Sequence, residues 1–221
     1  MDNERPGELP EEVPDVVPAA RVQVEGLFSG PDDVGFSGTV IAPTGTATYW
    51  KGKQHSFGDE PAIVFNSGKR VWSRHGVAHR DGGLPARTSP DGSMAWLVDG
   101  LLHREGGPAY IIATGDPEIN LREDWCRHGQ RFANQREHET AVKLATHDIF
   151  TLYVVPNGLT PEPAGELPPG GKHYRRDLLV AGCRRLSVED ALTWWLSWEA
   201  RGGTCRPEFV DAIRTYMEER Q

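Results

Sequence analysis

Apolar and polar residues alternate in short runs along the middle of the chain, and the pattern returns every 24 residues. Residues 71–88 read VWSRHGVAHRDGGLPART, and residues 95–112 read AWLVDGLLHREGGPAYII. A unit of this length has room for two strands of about five or six residues and two turns, but not for a strand-helix-strand crossover. The period therefore predicts an antiparallel β-hairpin repeat array at about residues 49–133. The recurring positions are Gly52, Gly76 and Gly100, His55, His79 and His103, Trp72 and Trp96, and the Pro-Ala steps at 61–62, 85–86 and 108–109.

The pattern weakens at both ends of this region. The first 24-residue repeat has Ser56 where the two middle repeats have arginine, and the last repeat has Phe132 in place of histidine. Terminal units of repeat arrays commonly depart from the consensus because one side of them faces solvent. The step from Gly100 to Gly129 is 29 residues, which predicts an insertion of about five residues near 115–117.

The flanking regions lack the period. Alternation in residues 21–48 predicts one or two strands, and residues 1–20 form an acidic, proline-rich tail with no apolar face, which is typical of disorder. Residues 134–221 predict a small α+β domain with a helix from about 135 to 148, a turn at 156–158, strands at Thr151–Val155 and Leu178–Ala181, and helices beginning at Ser187 and Pro207. The predicted fold class is mainly β with an α+β C-terminal part, in which the repeat domain (21–133) is capped by a small domain (134–221).

Composition narrows the classes of function. The net charge is −8, and residues 1–20 hold six acids against one arginine, so the tail supplies −5 of it. The chain thus lacks the basic surface of nucleic-acid binders. Three scattered cysteines do not make a disulfide framework, and there is neither a signal peptide nor an apolar span long enough for a membrane. We therefore expect a cytoplasmic protein that binds neither nucleic acid nor membrane.

Two parts of the chain resemble known families. The pattern from Trp72 to Ala86, repeated from Trp96 to Ala109, is similar to the MORN-like repeats of bacterial and phage proteins, often written G-K-x-H-R-x-D-G-P-A. The stretch at 173–195, with Gly182-Cys183-Arg184, resembles a C-terminal element of phage-borne proteins. The first resemblance implies a binding role such as the antitoxin of a toxin–antitoxin pair, and the second implies a phage or mobile-element context.

The candidate binding residues are the recurring His79-Arg80 and His103-Arg104 pairs. Arginine forks match carboxylates and phosphates, so a row of these pairs could bind an anionic ligand or an acidic protein surface. The alternative, which the following Asp81 and Glu105 favour, is that each step stabilises its own turn. The tryptophans, one in each unit, could form an exposed aromatic strip, but a buried core is the stronger expectation. Trp194 and Trp198 stand four residues apart on a predicted helix and could contact a partner.

No catalytic, metal-binding or cofactor-binding motif is evident in the sequence, so we predict no cofactor and no metal. These features favour a non-enzymatic protein-binding module, with an antitoxin, immunity or anti-defence role that needs a toxin or a host defence protein as partner. One alternative is an enzyme with its site between the two domains, and another is a structural component of a phage or secreted particle. The residues of such an enzyme site would be His147, Asp148, His173, Tyr174, Arg175 and Arg176.

Overall fold

The structure is a computed structural model that describes residues 13–25, 35–115, 121–147, 150–159, 175–181, 184–188, 190–193, 196 and 207–220. The chain divides between Gly92 and Ser93 into two compact units. The mainly β fold, with antiparallel sheets and a helix near the C-terminus, is confirmed. The domain bounds drawn from the sequence remain a prediction.

The first unit is built on one sheet of short strands. Its strands follow the order β1-β2-β3-β5-β6-β9, with β4 on the side of β3, and a separate hairpin joins β7 to β8. All of these pairs are antiparallel except β1 with β2. The strands are β1 Arg21–Gln23, β2 Gly38–Ala42, β3 Gly45–Trp50, β4 Lys53–Gln54, β5 Ile63–Phe65, β6 Arg70–Val71, β7 Ser73–Arg74, β8 Val77–Ala78 and β9 Arg87–Thr88.

The second unit holds two sheets and two labelled helices. One sheet has the order β10-β13-β14-β15, the other has the order β16-β17-β18-β19, and a separate hairpin joins β11 to β12. The elements are β10 Met94–Ala95, β11 Leu97–Val98, β12 Leu101–Leu102, β13 Tyr110–Ala113, β14 Leu121–Arg127, β15 Gln130–Phe132, α1 Gln135–Thr140, β16 Val142–His147, β17 Phe150–Leu159, β18 Arg175–Ala181, β19 Arg184–Ser187 and α2 Pro207–Glu218. Residues 188, 190–193 and 196 are also helical.

Alternation along β17 and β18 divides the core of the second unit between the two faces of the β16–β19 sheet. Leu152, Val154 and Leu179 belong to a buried cluster that includes Phe209 and Ile213 of α2. Side chains on the other face form a second cluster with Phe132. Successive side chains of a strand point to opposite faces, so a run of apolar residues places apolar side chains on both faces of the sheet. Each face is accordingly covered by one of the two clusters. The members of the second cluster are Phe132, Ala141, Tyr153, Val155, Leu178 and Val180.

Two local predictions for the C-terminal part were wrong. The helix after Asn134 begins as expected, with the Asn134 side chain accepting a hydrogen bond from the Glu137 amide at 3.1 Å, but it ends at Thr140 and not near residue 148. Residues 142–147 instead form β16, which pairs with β17, so tertiary pairing overrides the helical tendency of this stretch. The predicted turn at 156–158 lies inside β17, where the register shifts between Val155 and Gly158.

Four two-residue turns close the small hairpins, each with glycine second. Both residues of each turn have a positive φ, as type I′ turns require, and only glycine reaches that region without strain. The recurring glycines of the sequence are therefore turn residues. The turns are Lys51-Gly52 (φ 48° and 75°), His75-Gly76 (49° and 87°), Asp99-Gly100 (48° and 80°) and His128-Gly129 (46° and 73°).

Each recurring tryptophan marks the point where the chain leaves the main sheet and enters a hairpin. The Trp72 amide donates to the Ala86 carbonyl at 2.8 Å, while the Trp72 carbonyl accepts from the His79 amide at 3.1 Å. Trp96 makes the same two bonds in the second unit, to Ala109 at 2.8 Å and from His103 at 3.1 Å. The alanines are fully buried, which explains why a small residue recurs in the Pro-Ala steps.

In the first hairpin Thr48, and not Trp50, occupies the place of the tryptophan. Its amide donates to the Ala62 carbonyl at 2.7 Å, and its carbonyl accepts from the His55 amide at 3.0 Å. Thr48 lies 24 residues before Trp72, so the spacing of the backbone bonds holds where the side chain has changed. Among the described residues, no helix is both long and apolar enough to cross a membrane.

Substitution Gly76→Ala should lower the free energy of unfolding by about 1–2 kcal/mol, because a Cβ in the left-handed region is strained. The added Cβ would meet Lys53 at an ordinary 3.7 Å, so the loss measures backbone strain and not a clash. The matched control is Gly106→Ala, at a position with open space and no positive φ, which should leave stability unchanged or slightly raised. Equal losses in urea denaturation of the two variants would contradict this account of the turns.

Candidate functional site

The predicted residues His79 and Arg80 line an open pocket of about 200 Å³ in the first unit. The walls come from the loop that follows the hairpin turning at Lys51-Gly52, from the hairpin that turns at His75-Gly76 and from the loop after it. The pocket is rich in charge. Its lining residues are His55, Ser56, Gly58, Asp59, Trp72, Ser73, Arg74, His79, Arg80 and Asp81.

Arg80 is held on three sides by its own unit, an arrangement that we call the Arg80 stack. Its guanidinium lies 3.7 Å from the centre of the buried Trp72 ring. The Nε and Nη2 atoms donate to the two carboxylate oxygens of Asp59, each at 2.9 Å, and Nη1 donates to the Pro85 carbonyl at 3.2 Å. Only 14% of the side chain is exposed, so Arg80 forms a two-point carboxylate pair within the unit.

His79 has both ring nitrogens engaged. Nδ1 accepts from Arg74 Nη2 at 3.1 Å, which places the ring proton on Nε2, and Nε2 donates to Asp81 Oδ1 at 2.9 Å. The ring is buried, whereas the Asp81 side chain is 83% exposed. A general base needs a nitrogen that can reach the substrate proton, and this ring offers none in this arrangement.

Arg104, which lies 24 residues after Arg80 and belongs to the second compact unit, makes a similar stack. We call this arrangement the Arg104 stack. The guanidinium lies 3.7 Å from the centre of the buried Trp96 ring, and Nη1 donates to the Pro108 carbonyl at 3.2 Å. Within the described part of the chain, no carboxylate lies within 4.0 Å of this guanidinium. The Arg104 backbone is also fixed, because its amide donates to Cys126 at 3.2 Å and its carbonyl accepts from His138 Nε2 at 2.7 Å.

In each unit one histidine ring accepts a hydrogen bond that joins its hairpin to the next. His55 Nδ1 accepts a hydrogen bond from the His75 amide at 3.1 Å, and His103 Nδ1 accepts one from the His128 amide at the same distance. The paired rings are also in contact, with centroids 4.6 Å apart in the first unit and 4.2 Å in the second. The step of 29 residues between Gly100 and Gly129 therefore preserves the contact seen across the step of 24.

A network of polar side chains, made of histidines, a tyrosine, an arginine and a glutamate, extends from His103 in the second unit. Burial is the main reason that the pKa of His103 and the pKa of His128 both lie below their usual value. Burial also raises the pKa of Tyr153 to about 12, and the Tyr153 hydroxyl is hydrogen-bonded to His128 Nδ1 at 2.7 Å. Glu105 lies 3.5 Å from His103 Nε2 and 3.3 Å from Arg127 Nε, which stabilises this edge of the network.

The remaining predicted site residues cannot be placed. Trp194 and Trp198 lie outside the described residues, and so do Asp148, His173 and Tyr174 and the side chains of His147, Arg175 and Arg176. No group of three metal-ligating side chains occurs within the described ranges. The sequence did not single out Asp59, Arg74 or Tyr153 as site residues. The His-Gly pairs at 75–76 and 128–129 are a signal that the turn residue is special.

The chain was compared with models of known protein families, with curated proteins and with solved structures, and none of them matches. The candidate site therefore stands on its own geometry.

Stability should fall as the pH is lowered from about 8 to about 5.5. The pKa values of His55, His103 and His128 are lowered in the folded protein, chiefly by burial, whereas those of the unfolded chain lie near 6.5. The unfolded state therefore binds more protons below that pH, and the stability that these rings contribute is lost as the pH falls through it.

Thermal unfolding across this range checks the direction, and a melting temperature that stays level or rises toward pH 5.5 would contradict it. His103→Asn offers a matched variant, because its side-chain oxygen keeps an acceptor for the His128 amide but does not titrate. We expect it to show a shallower dependence on pH than the wild-type chain.

Proposed function

We propose that this chain is a non-enzymatic protein-binding module of bacterial or phage origin. In this proposal it acts as an antitoxin, an immunity protein or an anti-defence protein by covering a surface of a toxin or host defence protein. The 24-residue units are the elements of an antiparallel hairpin repeat array that presents the binding surface.

The observation that carries the proposal is the recurrence of three hairpin contacts. The histidine-to-turn bond occurs at His55 and again at His103, while the tryptophan bonds and the arginine stack occur in the Trp72 hairpin and again in the Trp96 hairpin. Recurrence of the same contacts along a chain is typical of repeat proteins, whose common role is to present an extended surface to a partner.

The chemistry of the recurring residues favours binding over catalysis. The His55, His79 and His103 rings, which repeat, bond to backbone or to neighbouring side chains through Nδ1. Such rings are positioned to hold the hairpins together and not to exchange protons with a substrate. The bacterial or phage setting is supported by the resemblance of the repeats and of residues 173–195.

Affinity capture tests the proposal. The folded, tagged chain is incubated with lysates of bacteria before and after phage infection, and bound proteins are identified by mass spectrometry. We expect one protein at a stoichiometric level, and the purified pair should form a complex of defined mass on size-exclusion chromatography. A chain that is folded by circular dichroism yet enters no such complex would contradict the proposal. The control is the Gly106→Ala variant, which should capture the same protein.

A further inference from the structure

The Arg80 and Arg104 stacks differ in one respect, which is the presence of a carboxylate. Both guanidiniums lie 3.7 Å from a tryptophan ring centre, and both donate through Nη1 to a proline carbonyl at 3.2 Å. In the Arg80 stack the Nε and Nη2 edge is taken by Asp59. In the Arg104 stack the same edge has no carboxylate partner among the residues that the structure describes.

The sequence explains the difference. The residue 24 positions after Asp59 is Gly83, which has no side chain to offer. The acid next to Arg104 in the chain is Glu105, and its carboxylate already lies beside His103 and Arg127. The second copy of the unit has therefore kept the stacked arginine and lost the acid that neutralises it in the first copy.

The Arg104 guanidinium is positioned before any ligand arrives. Trp96 fixes the plane of the group, Pro108 fixes one of its nitrogens, and the Arg104 backbone is bonded on both sides. Gly107 makes this close approach possible, since an added Cβ there would lie 2.9 Å from Nη1 and 3.0 Å from Cζ. A fork that is already ordered loses little conformational entropy when it binds, which raises affinity.

We propose that the Nε and Nη2 edge of Arg104 is a receptor for a carboxylate, bound through two parallel hydrogen bonds as Asp59 is bound by Arg80. The natural ligand is an aspartate or glutamate side chain on the protein partner. That last step rests on the proposed function, whereas the carboxylate site itself does not. Asp59 supplies the template, because it shows which ligand this stack accepts and with what geometry.

The site can be tested without knowing the partner. The Nε–H signals of the arginines are followed by ¹H–¹⁵N NMR during a titration at constant ionic strength. The ligand is the α-amide of N-acetylaspartate, whose one carboxylate is that of the side chain. The Arg104 signal should shift and saturate, and the Arg80 signal should not move. The control ligand is the α-amide of N-acetylasparagine, which is neutral because a side-chain amide replaces the carboxylate. An Arg104 signal that does not respond, or one that responds equally to the neutral control, would overturn the proposal.

Asp59→Ala gives the sharper test, because it removes the side chain that covers the Arg80 edge and should create a second receptor. With the internal carboxylate removed, the Arg80 edge becomes available, and two arginine signals should now shift where one did before. If the Arg104 signal shifts and the Arg80 signal of a folded Asp59→Ala variant does not, the template argument is wrong. If inorganic phosphate moves the Arg104 signal and the aspartate probe does not, the site is a phosphate site and the proposal is overturned.

Capture experiments separate this inference from the proposed function. Arg104→Ala should weaken binding of the captured protein by roughly 10- to 100-fold. Gly107→Ala, which displaces the guanidinium but keeps its charge, should weaken binding in the same direction. Arg136→Ala, at an exposed position on α1, is the matched control and should bind as the wild type does.

Undiminished capture by Arg104→Ala and Gly107→Ala would overturn the assignment of a partner carboxylate as the natural ligand and leave the binding function standing. A shifting Arg104 signal in a chain that captures no protein would support the receptor and count against the binding function.

Discussion

The hydrogen bond from a turn amide to a histidine Nδ1 is the interaction on which the hairpin regions of both units depend. A type I′ turn leaves its first amide pointing away from its own hairpin, so this donor needs a partner outside that hairpin. His55 and His103 supply the acceptor for the next turn in their unit. The bond sets the spacing between hairpins and obliges the ring to stay neutral, because an imidazolium has no acceptor nitrogen.

The residues that follow His79 and His103 also have little freedom. The next residue in the Trp72 and Trp96 units is an arginine, which lies flat on the tryptophan and bonds to the proline carbonyl. The fully buried alanine after that proline pairs with the same tryptophan through the backbone. The recurring histidine, arginine, tryptophan and alanine are thus one set of contacts, and the variable acid decides whether the arginine is neutralised.

The sequence predicted the features that are set by residues close together in the chain. It missed the contacts between residues that are far apart in the chain. The glycine turns, the small hairpins and the burial of Trp72 and Trp96 follow from the 24-residue period and from turn chemistry. The end of the first helix could not be predicted, because pairing of β16 with β17 decides it. Asp59 pairs with Arg80 across 21 residues, and Tyr153 reaches His128 across 25, so no local pattern indicates either contact.

The ring tautomers of His55 and His103 test the central claim most directly. Long-range ¹H–¹⁵N NMR at a pH of about 7.5 distinguishes a protonated from an unprotonated ring nitrogen, and the unperturbed ring is mostly neutral there. The account predicts that both rings carry their proton on Nε2 and leave Nδ1 unprotonated as the acceptor of the turn amide. A proton on Nδ1 of either ring would mean that the hairpins are not joined by this bond, and it would contradict the account.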